Sequence, residues 1–138
     1  MKSILEKELS DILEKIYYNW KKGDIILQEV HKLYFSAKDK YLTAQEREKN
    51  EETSELILKI LFLTGRISEE FIEKWQGGKI TPSDKELELL KEGCEEVLKV
   101  FDSHFKRELI AYQGKSFNEY HTEVKEKIEK IRKLISTS

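Results

Sequence analysis

The sequence predicts an all-α protein, a helical bundle of about five to six helices in a single domain spanning residues 1–138. Three observations predict it. Apolar residues recur at three- and four-residue steps along most of the chain, the spacing that lines one face of a helix. Nowhere does the strict alternation of a half-buried strand persist. The composition is 38% charged and 38% hydrophobic, with one proline and six glycines, which suits long amphipathic helices interrupted at few places. A chain of 138 residues is also large enough to enclose a core.

The first helix spans residues 3–22, with Ile4, Leu5, Leu9, Ile12, Leu13, Ile16, Tyr17 and Trp20 on one face and Gly23 at its end. Asp24 is a ready N-cap for the second helix, whose inner face carries Ile26, Val30, Leu33, Tyr34, Ala37 and Tyr41. Thr43 and Glu46 have the spacing of a capping box, opening a third helix with polar first turns. Its later turns, residues 56–63, are apolar at every position but Lys59, and Arg66 follows directly behind Gly65. A helix that is apolar all round must be wrapped by other elements. The run therefore reads as a central post that carries a guanidinium to a defined point.

Gly65 either ends this helix or dents it. Ser68, followed by Glu69 and Glu70, resembles a fresh start, with negative charge at the positive helix end. Ile67, Phe71, Ile72 and Trp75 give a short apolar face, and Gly77 with Gly78 stops it. Thr81, Pro82 and Asp84 then supply a cap, a first-turn proline and an early acid. The next helix buries Leu87, Leu90, Cys94, Val97, Leu98, Phe101, Phe105 and Leu109, and Gly114 ends it. Ser116 and Glu119 make another capping box before a last stripe of Phe117, Tyr120, Val124, Ile128, Ile131 and Ile135.

Several function classes lose support from composition. With 25 Lys+Arg against 27 Asp+Glu the net charge is −2, so the chain is no bulk polycation and any contact with a polyanion needs a local patch. The lone Cys94 excludes an internal disulfide, fits a reducing cytoplasm and lies on an apolar stripe as a buried thiol. The first ten residues mix charges of both signs, unlike a signal peptide, and no apolar run approaches the ~20 residues of a membrane span. A cytoplasmic protein without a membrane partner is expected.

Catalysis finds little footing. His31, His104 and His121 are far apart, and no H-E-x-x-H, E-x-x-H or paired cysteines occur, so neither a metal nor a cofactor is expected. Glu51, Glu52 and Glu55 are similar to the E-E-x-x-E half-site of all-helical nucleotide pyrophosphohydrolases, which needs several acids converging on Mg²⁺. The E-x-x-D element that should follow is missing from the next thirty residues or so, so a solvated acidic face is the better account. No arginine is followed by a histidine at helical-ribonuclease spacing. Recognition remains. Arg66 is a placed cation, and Lys106 and Arg107, with Tyr112 and Lys115 further on, interleave basic and aromatic side chains able to hold phosphates and stack a base.

Three blocks carry a family resemblance. The apolar run into Gly65 and Arg66, the stretch VFDSHFKRELIAYQGKSF (residues 100–117) and the stretch LQEVHKL (residues 27–33) occur in order. Together, over residues 24–117, they resemble the small all-helical subunit of type III, Csm-type CRISPR effector complexes. His31 stands where that family prefers arginine, which would make a phosphate contact there pH-dependent. The helix over 116–138 is an addition to the family pattern. The resemblance implies a non-catalytic subunit that stacks in several copies beside the other effector subunits. It would contact the backbone of guide and target RNA in antiviral defence. The RNA-binding residues it implies are His31, Lys32, Arg66, Lys106 and Arg107. The central pattern is also similar to the helical half of GINS-type replication scaffold subunits, which would make the chain a protein–protein assembly module. The small β-domain expected beside that bundle is missing.

Overall fold

Each helix must find partners for the N–H and C=O groups left over at its ends, and the residues that supply them set the element boundaries. In the structure, a computed structural model that describes residues 2–23, 27–99 and 117–136, all regular elements are helical. They are α1 (Ile4–Lys22), α2 (Leu27–Thr43), a short 3-10 turn (Glu46–Glu48), α3 (Glu51–Gln76), α4 (Asp84–Lys99) and α5 (Phe117–Ser136). The all-α class read from the apolar periodicity is the class observed.

Ser3 caps α1 by accepting the Glu6 N–H at 3.1 Å, and Gly23 ends it in the left-handed region at φ 74°, its N–H donating to the Trp20 carbonyl. The second boundary differs from expectation. Thr43 is the last residue of α2, where its hydroxyl donates to the Asp39 carbonyl at 2.7 Å, so it opens no helix. The chain instead passes through the 3-10 turn, and Asn50 caps α3. The Asn50 side-chain oxygen accepts the Thr53 N–H at 3.0 Å while the Thr53 hydroxyl accepts the Asn50 N–H at 2.8 Å. Two orphan donors are thereby satisfied reciprocally, the capping-box arrangement with different residues. The buried Tyr41 and Ser54 hydroxyls, 3.2 Å apart, tie this corner to the end of α2.

Helix α3 runs unbroken through Gly65 and Ser68. The Ser68 hydroxyl that suggested a new start bonds back along the helix to the Thr64 carbonyl at 3.0 Å, as the Thr64 hydroxyl does to the Ile60 carbonyl at 2.8 Å. A Cβ built at Gly65 would meet nothing within 4 Å. Gly65→Ala should therefore stabilise the chain by about 0.5–1 kcal/mol, through the entropy a glycine loses in a helix. A raised urea midpoint checks this, and a lowered one would mean that the position needs its missing side chain.

The start of α4 lies two residues later than Thr81 suggested. Ser83 is the cap: it accepts the Glu86 N–H at 3.2 Å, and its own N–H donates to the Glu86 carboxylate at 3.0 Å. The box expected at Ser116 lies outside the described residues, as do the stripe positions Phe101, Phe105 and Leu109.

The chain gathers into two compact units, Met1–Phe71 and Ile72–Ser138. In the first, α1 packs on α2. Its core gathers Leu5, Leu9, Ile12 and Ile16 from α1, Leu27, Val30, Tyr34, Ala37 and Tyr41 from α2, and Ile57, Leu58, Ile60 and Leu61 from α3. Lys40 reaches back to Glu8 at 3.0 Å. In the second unit, α4 packs on α5, with Leu90 buried.

The apolar run of α3 is not wrapped on every side. Buried residues from Thr53 to Ile67 occupy about half the helix circumference at ~100° per residue. Leu56, Phe62 and Leu63 are only half-buried, and Lys59 and Arg66, two turns apart, lie exposed on the outer side. No helix of the described residues is long and apolar enough to cross a membrane.

Candidate functional site

Arg66 does not emerge from the end of a buried helix. It sits in the middle of α3 on the exposed face, with its side chain 67% accessible. Two neighbours hold it. The guanidinium carbon lies 5.1 Å from the centroid of the Trp20 ring, near the end of α1, and the Arg66 Nε lies 3.9 Å from one oxygen of Glu70, one turn along α3. The other Glu70 oxygen accepts a hydrogen bond from the Trp20 indole N–H at 2.7 Å. The Glu70 carboxylate therefore links the indole edge and the guanidinium.

The energetic weights of these contacts differ. An exposed ion pair at 3.9 Å is worth little, between zero and about 1 kcal/mol. A cation over the half-buried Trp20 indole contributes on the order of 1 kcal/mol. Neither pins Arg66 firmly. Their combined effect is to orient the guanidinium while leaving most of it in water, where it is free to meet an anion in the planar, forked geometry that suits a phosphate.

Lys32 is exposed on α2. Its neighbour His31 is not. His31 is 4% exposed, near Phe35 at a ring-centroid distance of 6.5 Å, and its Nε2 has no hydrogen-bond partner. Burial lowers its pKa below the ordinary 6.5, because desolvation penalises the imidazolium. A neutral imidazole enclosed in the core neither reaches a phosphate nor carries charge toward one, so the expected role of His31 as an RNA contact is corrected to that of a core residue. Tyr34, one turn further along, is buried beside it with its hydroxyl also unpartnered, and burial pushes its pKa far up. Lys106 and Arg107 lie outside the described residues.

The structure adds Tyr17, expected on the apolar face of the first helix, and Tyr18, which the apolar stripe left out. Tyr17 and Tyr18, in the last turns of α1, are 45% and 59% exposed. Lys21 stands 4.8 Å from the centroid of Tyr17, and Lys22 stands 4.4 Å from that of Tyr18. Tyr17 meets Trp20 edge-on at 5.8 Å. The signal was present in the string YYNWKK at residues 17–22: two adjacent aromatics project about 100° apart on a helix, so one apolar stripe rarely covers both.

Among the described residues no group of three His, Cys, Asp or Glu side chains is placed to hold a metal ion. Glu51, Glu52 and Glu55 are exposed in the first turns of α3, and Glu55 pairs with Lys59 at 3.3 Å. Comparison with protein-family models, with curated proteins and with solved structures gives no match to this chain.

Proposed function

We propose that this chain is a non-catalytic RNA-contacting subunit of a type III CRISPR ribonucleoprotein, the small helical subunit that stacks in several copies beside the RNA in antiviral defence. The observation that carries the reading is the oriented, largely exposed guanidinium of Arg66 beside Trp20. The three ordered sequence blocks supply the family, and the all-helical elements suit it. Lys32 is a second exposed cation for the backbone, and Lys106 and Arg107 complete the set by sequence. Guide–target base pairing would supply the sequence specificity, and the protein would read the phosphates.

Such a contact is salt-sensitive and tolerant of sequence. Arg66→Ala should weaken binding to an RNA duplex by a similar factor for every sequence and lower the slope of log affinity against log salt by about one. Fluorescence anisotropy at low and moderate salt measures both, with far-UV circular dichroism confirming that helicity is kept. Duplex binding that is absent at low salt, or indifferent to Arg66→Ala, would sink the proposal.

A further inference from the structure

Resting on the RNA-contacting reading above, we infer that the Tyr17–Tyr18 face of α1 is a stacking platform for unpaired bases of single-stranded RNA, separate in its chemistry from the backbone contact at Arg66. Two exposed tyrosines in succession are a poor use of a helix surface unless something covers them, because each leaves a large apolar ring in water. Each ring here has its own ammonium group, Lys21 beside Tyr17 and Lys22 beside Tyr18. A cation beside each exposed ring keeps a positive charge within reach of the phosphate of a base stacked there.

The surroundings extend the platform into an open groove of about 930 Å³ between α1 and α3. Its apolar lining is Leu13, Leu63 and the two tyrosines. Lys15, Lys21 and Lys59 border it, against the acids Asp11 and Glu14. Counting Lys22 beside Tyr18, four lysines stand against two acids, with Lys21 and Lys22 one turn beyond the tyrosines, Glu14 one turn before them and Asp11 further back. The charge arrangement thus favours a polyanion over the aromatic end.

The occupant follows from the chemistry. In a duplex the base faces are stacked on one another, so a tyrosine ring can stack only on a base that is unpaired. Stacking needs no particular base, because every base has a π-face, and so the platform is tolerant of sequence. Arg66 would hold the backbone of paired RNA, and Tyr17 with Tyr18 would hold a strand before pairing or beyond its end.

The test uses the full chain with two probes at low salt, a short oligoadenylate RNA and an RNA duplex of similar length, followed by fluorescence anisotropy. The double change Tyr17→Leu with Tyr18→Leu should weaken oligoadenylate binding about tenfold or more and leave duplex binding unchanged, while Tyr17→Phe with Tyr18→Phe should keep both. Circular dichroism checks that the leucine variant keeps its helices. Arg66→Ala should show the reverse preference, losing mainly the duplex. Oligoadenylate affinity that survives the leucine change overturns the platform, as does a parent chain that binds only the duplex; either result leaves the backbone reading standing. Absence of binding to both probes overturns the two together. A tyrosine-dependent dimer in sedimentation equilibrium with no oligoadenylate binding would assign the face to a second copy of the chain and overturn the platform.

Discussion

A chain carrying Ile60→Ala should unfold with about 2–5 kcal/mol less free energy than the parent, whereas Leu63→Ala, three residues on in the same apolar run, should cost only about 1 kcal/mol. The two residues look alike in the sequence. In the structure Ile60 is fully buried among the inward residues of α3, and Leu63 is half-buried at the edge of the open groove. Truncating Ile60 removes packed methyl groups and leaves a cavity that the surrounding α1, α2 and α3 side chains close only in part. Truncating Leu63 mostly trades one partly wetted surface for another. Against a total stability of about 5–15 kcal/mol for a domain, the first loss is a large fraction and the second is not. Urea unfolding followed by far-UV circular dichroism reads both from the shift in midpoint at constant slope. Equal losses at the two positions would mean that α3 is enclosed on all sides, as its composition suggests.

That pair of residues shows where sequence reading stops. The periodic faces of α1 and α2 were legible because three- and four-residue spacing is a local property, and Gly23 and Gly78 were legible as stops because both take the positive φ that other residues avoid. The starts were harder. Thr43, Asn50, Ser68, Thr81 and Ser83 are all credible caps by residue type, and the structure uses only Asn50 and Ser83 among them. The choice depends on groups distant in sequence, such as the Tyr41 hydroxyl beside Ser54, which local spacing does not report. Arg66 was recognisable as a placed cation, but its partners were not, because Trp20 comes from another helix nearly fifty residues away. His31 was recoverable. It lies four residues after Leu27 and three before Tyr34, both buried, so the helical period already put it inside.

Acid should destabilise the first unit, and His31 should be the reason. Its folded pKa lies below 6.5 because burial removes the imidazolium from water, while in the unfolded chain it titrates near 6.5. Between those two values the unfolded state binds a proton that the folded state does not. Stability therefore rises with pH through that window, is complete above about 6.5, and is lost progressively as pH falls from there toward the folded pKa, with a slope of at most about 1.4 kcal/mol per pH unit for one proton. The unpartnered Nε2 sharpens the expectation, since no acceptor is in place to receive the added N–H. His31→Leu should flatten this part of the profile, because leucine binds no proton. It should also cost little at pH 8, where the parent buries an imidazole nitrogen with no hydrogen bond. The neighbouring Tyr34→Phe change gives the matching control. It removes a buried hydroxyl that has no partner and should raise stability by about 1 kcal/mol at every pH from 5 to 8, without altering the slope. Urea midpoints measured across that range separate the two effects. A His31→Leu chain that keeps the parent's full dependence between pH 6.5 and 5 would place the acid sensitivity in other groups.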